Sequence, residues 1–100
     1  VNHLLVPPVG LLEVFEEAET EFDSEGALVA RGGEGTLTTM TYVDLVIRWF
    51  VNDVGPVNRR ARETLVEIGG PHSIFTGPVM FSGLPAEEVV KVVAHLSRKE

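Results

Sequence analysis

The sequence predicts one small α+β domain: a short antiparallel β-meander, then two helices, an extended segment or small hairpin, and a C-terminal helix. Three observations predict it. Apolar and polar residues alternate from Leu12 to Asp23, the period of a half-buried strand. Val89, Val92, Val93 and Leu96 recur at helical spacing near the end of the chain. Glycine and proline punctuate the stretches between, at Gly32-Gly33-Glu34-Gly35, Gly55-Pro56, Gly69-Gly70-Pro71 and Gly77-Pro78.

In the first segment, Leu12, Val14, Ala18, Thr20 and Phe22 fall on one side and Glu13, Glu17, Glu19, Glu21 and Asp23 on the other. The helical face Leu11, Phe15, Ala18, Phe22 competes, but alternation fits more positions, with Phe15 and Glu16 the exceptions. Asp23-Ser24-Glu25-Gly26 then reads as a turn and Ala27 to Arg31 as a returning strand. The glycine-rich Gly32 to Gly35 reads as a second hairpin turn, into a β-branched strand from Thr36 to Met40.

Between Tyr42 and Val51, β-branched and aromatic residues favour a strand, yet Thr41, Asp44, Arg48 and Asn52 recur every three or four positions. With Thr41 as N-cap and Asp44 and Arg48 at i,i+4 spacing, the segment is expected to be a mostly buried helix. A second helix is expected over Val57 to Ile68, with Val57, Ala61, Leu65 and Ile68 inward and Gly69-Gly70 as its stop. His72 to Ser82 reads as extended. The last helix has Pro85 at its start, Glu87 and Glu88 in its first turn and Arg98 and Lys99 at its end.

Length and composition set limits on function. One hundred residues with 44% hydrophobic content suit one domain over residues 1–100. The absence of cysteine removes disulfides, thiolate metal sites and a cysteine nucleophile, and the cytoplasm is the expected compartment. No stretch is long and apolar enough to span a bilayer, so a soluble chain with no membrane partner is expected. The net charge of −7 is concentrated: Glu13, Glu16, Glu17, Glu19, Glu21, Asp23 and Glu25 form one run without a base. That field argues against nucleic acid and anionic membranes as partners. A helix-turn-helix reading of the two central helices meets the same objection, because its basic face is too small.

Few residue patterns carry chemistry. His3, His72 and His95 lie far apart, without metal-ligand spacing, and no phosphate-binding loop is present, so neither metal nor cofactor is expected. His3 is expected in a loose terminus and His95 on the outer side of the last helix. Trp49 and Phe50 read as core. The leading expectation is a non-enzymatic protein-interaction module, such as a regulatory subunit, adaptor or inhibitor. Its acidic sheet face, Glu13, Glu17, Glu19, Glu21 and Asp23, would meet a basic protein surface. One alternative is a small-ligand binder or enzyme with an anion site at Arg59, Arg62, His72 and Ser73, in the only basic cluster and its neighbouring constrained turn. The other is a structural, homo-oligomeric protein in which arginines of one copy meet the acids of another.

Overall fold

The computed structural model describes residues 2–17, 22–51, 55–70 and 73–98. Near the start, Leu4-Leu5-Val6 is an apolar run without alternation, the mark of a strand buried on both faces. It forms β1 (Asn2–Val6), and Pro7-Pro8 ends it. Four further strands follow among the described residues, β2 (Glu13–Glu16), β3 (Thr36–Tyr42), β4 (Leu45–Val51) and β5 (Val79–Ser82). They make a single antiparallel sheet in the order β2-β1-β5-β4-β3. All four residues of β5 are buried, as a central strand covered on both faces requires.

Among the described residues three helices cover the sheet: α1 (Ser24–Ala30) on one face, α2 (Arg59–Glu67) and α3 (Ala86–Arg98) on the other. The larger core lies on the two-helix side. There Leu4, Val6, Ile47, Val79 and Phe81 of the sheet meet Ala61 and Leu65 of α2, Val89, Val92 and Leu96 of α3, and the loop residue Phe75. Trp49 packs edge-on against Phe75 at 4.9 Å between ring centroids. On the opposite face Leu5, Phe50 and Met80 meet Leu28 of α1, with Phe15, Phe22 and Leu37 at its margin. The α+β class, the antiparallel sheet and the two C-terminal helices agree with the sequence expectation.

Several elements differ from it, each for a physical reason. Ala27 to Arg31 is not a returning strand: Ala27 to Ala30 belong to α1 and Arg31 is its C-cap. Asp23, read as a turn residue, is the N-cap, its Oδ1 accepting from the Gly26 amide at 2.9 Å. Gly32-Gly33 is not a hairpin turn but the end of that helix. Gly33 N–H donates to Leu28 C=O at 2.9 Å and Gly32 N–H to Val29 C=O at 3.1 Å, with Gly32 at φ 91°. This is a Schellman closure. Gly69 and Gly70 repeat it at the end of α2, donating to Val66 and Leu65 C=O at 3.0 and 2.8 Å.

Leu45 to Val51 is a strand, not a buried helix, so Asp44 and Arg48 are not a helical pair and this segment does not form a helix-turn-helix with α2. The propensity of Val46-Ile47-Arg48-Trp49-Phe50-Val51 prevails because both of its faces are covered. The two-residue turn Val43-Asp44 joins it to β3, with Tyr42 and Leu45 as the closing pair. Val43 sits in this turn at φ 55° and is 78% exposed, a backbone conformation that disfavours β-branched residues. Val43→Gly should therefore raise the unfolding free energy by about 1 kcal/mol in chemical denaturation. An unchanged or lowered midpoint would show that the turn holds no strain.

β2 reverses the expected polarity of its segment. It is only four residues long and pairs with β1, Glu13 and Phe15 facing the α1 side while Val14 is exposed. Ala18, Glu19, Thr20 and Glu21 lie outside the described residues. In α2, Ala61 and Leu65 are buried as expected, but Val57, which precedes the helix, is exposed.

Candidate functional site

The acids that the sequence gathers into one face have separate local roles where the structure describes them. Glu13 is bound by both ends of the Arg31 guanidinium: Nε to Oε2, and Nη2 to Oε1 at 2.8 Å. Arg31 also donates from Nη1 to Ala27 C=O at 2.9 Å and lies over the Phe15 ring, 5.4 Å from its centroid. The pair ties the C-terminus of α1 to the edge strand β2. Asp23 caps α1, Glu17 is exposed, and Glu19 and Glu21 lie outside the described residues.

Hydrogen bonding to Arg31 holds the Glu13 carboxyl below the ordinary glutamate value. The contribution of this pair is therefore complete above the unfolded carboxyl range and is lost as the pH falls through the lower folded value. A carboxyl-carbon NMR titration should place the Glu13 midpoint below 4.5 and return it toward that value in Arg31→Gln. A wild-type midpoint at or above 4.5 would contradict the bridge.

The anion-site residues are not brought together. Arg59 and Arg62 are exposed on α2, Ser73 is half-buried in the loop after it, and His72 lies outside the described residues. Between them Arg60 turns toward the β1–β2 connection, donating from Nη1 to Gly10 C=O at 2.7 Å and Pro7 C=O at 3.2 Å.

Two histidines occupy places the sequence does not suggest. His3 is not in a loose terminus: it lies in β1 and is 0% exposed. Its Nε2–H donates to Glu17 C=O at 3.1 Å, so Nδ1 accepts from the Ser82 hydroxyl at 2.7 Å. Phe22 stacks on the imidazole at 4.1 Å, and Arg48 Nη1 approaches Ser82 Oγ at 3.5 Å. Ser82 is 1% exposed, so this Ser–His pair is sealed from any substrate and acts as a satisfied polar core. Only the register of β1 against β5, His3 opposite Ser82, reveals it. His95 faces α2 rather than the outer side, 3.7 Å from Glu67.

An open concavity lies at one end of the sheet, a cleft of about 440 Å³. The β3–β4 turn supplies Tyr42, Val43 and Asp44. The end of α2 supplies Glu67 and Ile68, and the connection from β5 into α3 supplies Gly83, Leu84, Pro85 and Glu88. Its walls are fixed by hydrogen bonds: Tyr42 Oη–H donates to Gly69 C=O at 2.8 Å, Gly83 N–H to Asn2 C=O at 2.9 Å, and Asn2 Nδ2 to Leu84 C=O at 3.3 Å. Leu45, Ile68 and Leu84 give it apolar surface. Asp44, Glu67 and Glu88 give it three carboxylates, and none of the ten lining residues is basic. Among the described residues, Lys91 Nζ lies 3.6 Å from Glu88 and the His95 imidazole 3.7 Å from Glu67. The C-terminus of α2, with no base in its last turn, adds partial negative charge.

No family model, curated protein or solved structure matches this chain. What the cleft can take must therefore be read from its own chemistry. Among the described residues no group of three or more His, Cys, Asp or Glu could hold a metal ion, and no helix is long and apolar enough to cross a membrane. Apolar surface lined with carboxylates suits a long cationic side chain, whose stem packs while its head is paired. Sequence reasoning missed this site because Asp44, Glu67 and Glu88 are 44 residues apart at the extremes and no short-range spacing links them. The signals at hand were the turn-forming Val43-Asp44 and the Gly83-Leu84-Pro85 connection, whose meeting depends on β4 and β5 being neighbours.

Proposed function

We propose that this chain is a non-enzymatic protein-interaction module that binds a basic partner, and that the cleft at the end of the sheet seats a lysine or arginine side chain of that partner. The observation that carries this reading is the lining itself: three carboxylates and no base around apolar surface. Among the described residues Glu88 and Glu67 have only long contacts, to Lys91 at 3.6 Å and His95 at 3.7 Å, which leaves their oxygens open to a cationic ligand. Other exposed acids among the described residues, Glu16, Glu17, Glu25, Glu34 and Glu87, add a field that draws a basic surface in from a distance. Of the acids that the sequence singles out, Glu17 belongs to that outer field, while Glu13 and Asp23 are engaged within the chain.

The test is a calorimetric titration of hexalysine into the wild-type chain at low and at physiological ionic strength. Binding that weakens with salt, and weakens at least tenfold at fixed salt in Glu67→Gln with Glu88→Gln, supports the reading. Equal binding by the double variant overturns it.

A further inference from the structure

The two edges of the sheet are built differently. β2 is four residues long, carries Glu13 and Glu16, and is followed by the exposed Glu17. Charge and brevity blunt such an edge against pairing with another chain. β3 is seven residues long, Thr-Leu-Thr-Thr-Met-Thr-Tyr, without a charged residue, a proline or a glycine. Its pairing with β4 runs from Thr36–Val51 to Tyr42–Leu45 without a bulge. Because Tyr42 and Leu45 close a two-residue turn as a hydrogen-bonded pair, Thr36, Thr38, Met40 and Tyr42 bond inward to β4. The N–H and C=O groups of Leu37, Thr39 and Thr41 therefore point away from the sheet. No described element beyond β3 continues the ladder.

We propose that β3 pairs antiparallel with β3 of a second copy, making a two-fold dimer with one continuous sheet. The outward groups are self-complementary about Thr39. Thr39 meets Thr39 of the second copy, and Leu37 meets its Thr41 in both directions, giving about six backbone hydrogen bonds. On one face this register sets Thr–Thr and Leu–Thr pairs across the seam; on the other it sets Thr38 against Met40 and Thr36 against Tyr42. Charge selects the occupant. Two chains of net charge −7 repel over most of their surfaces, and β3 is an edge on which neither copy brings a carboxylate. A basic peptide would instead be drawn to exposed carboxylates elsewhere on the surface, such as Glu16, Glu17, Glu25 and Glu34. The proposal does not depend on the cleft reading.

Sedimentation velocity from about 10 to 200 µM tests it, with hydrogen exchange as the local readout. The wild type is expected to approach twice its 10.9 kDa mass as concentration rises. Protection is expected to grow at the Leu37, Thr39 and Thr41 amides in step. Thr39→Pro removes an outward donor without removing a bond to β4, and Thr39→Lys with Thr41→Lys sets like charges across the seam. Both should sediment as monomers with an unchanged far-ultraviolet spectrum, and the lysine variant keeps the test valid if proline disturbs the strand. A wild type that stays monomeric at the highest concentration, or a dimer that survives in either folded variant, overturns the proposal.

Discussion

Asn58→Ala is expected to lower the unfolding free energy by about 3–5 kcal/mol, the largest loss from any single polar side chain described here. Asn58 is 0% exposed. Its Oδ1 caps α2 by accepting from the Ala61 amide at 2.9 Å. Its Nδ2 donates twice, to Val6 C=O at 2.7 Å and Gly77 C=O at 2.8 Å, and its own amide donates to Phe75 C=O at 2.7 Å. One amide side chain thus holds the end of β1, the entry to β5 and the start of α2 together. Removing it leaves the Ala61 amide without its cap and takes a hydrogen bond from each of two carbonyls, at about 1 kcal/mol per bond and more where a buried group is left unpaired. Asn58→Asp separates the roles: the cap acceptor stays, but a carboxylate replaces the donor facing two carbonyls, so it should be as damaging as alanine. A loss below about 1 kcal/mol in either variant would mean that the clamp contributes little.

Neutralising the cleft should separate binding from stability. Asp44→Asn, Glu67→Gln and Glu88→Gln together are expected to weaken hexalysine binding by ten- to a hundredfold. Each partly exposed ion pair contributes about 0.2–1 kcal/mol, and three carboxylates line the cleft. The same variant should keep its folding stability within about 0.5 kcal/mol of wild type, because the carboxylates have only long contacts to Lys91 and His95. Carboxylates serving the fold would give the opposite result, a falling denaturation midpoint with little change in binding.

Local signals that do not depend on neighbours were legible in the sequence. The apolar stripe of α3 and the glycine pair that closes α2 sit where periodicity and capping chemistry put them. The same glycine-pair device at Gly32-Gly33 is not legible in the sequence, because Asp23-Ser24-Glu25-Gly26 serves equally as a turn and as the start of a seven-residue helix. In β4 the polar spacing of Asp44 and Arg48 imitates a helix, whereas Asp44 belongs to a turn and Arg48 to the α1-side face of a strand. That face is decided by cover from α1, a contact between elements rather than a property of the segment. For the same reason His3 looked like a terminal residue and the cleft carboxylates looked unrelated. Their environments come from sheet order, with the N-terminal strand beside the last one.

The role of the cleft is tested most directly by amide chemical-shift mapping of the nitrogen-15-labelled chain during titration with hexalysine. Saturable shifts concentrated at Tyr42 to Leu45, Glu67 to Ile68 and Gly83 to Glu88 are predicted. Shifts that spread over Glu16, Glu17, Glu25 and Glu34 and leave those three segments unmoved would contradict a built cationic site and reduce the acidity to a general property of the surface.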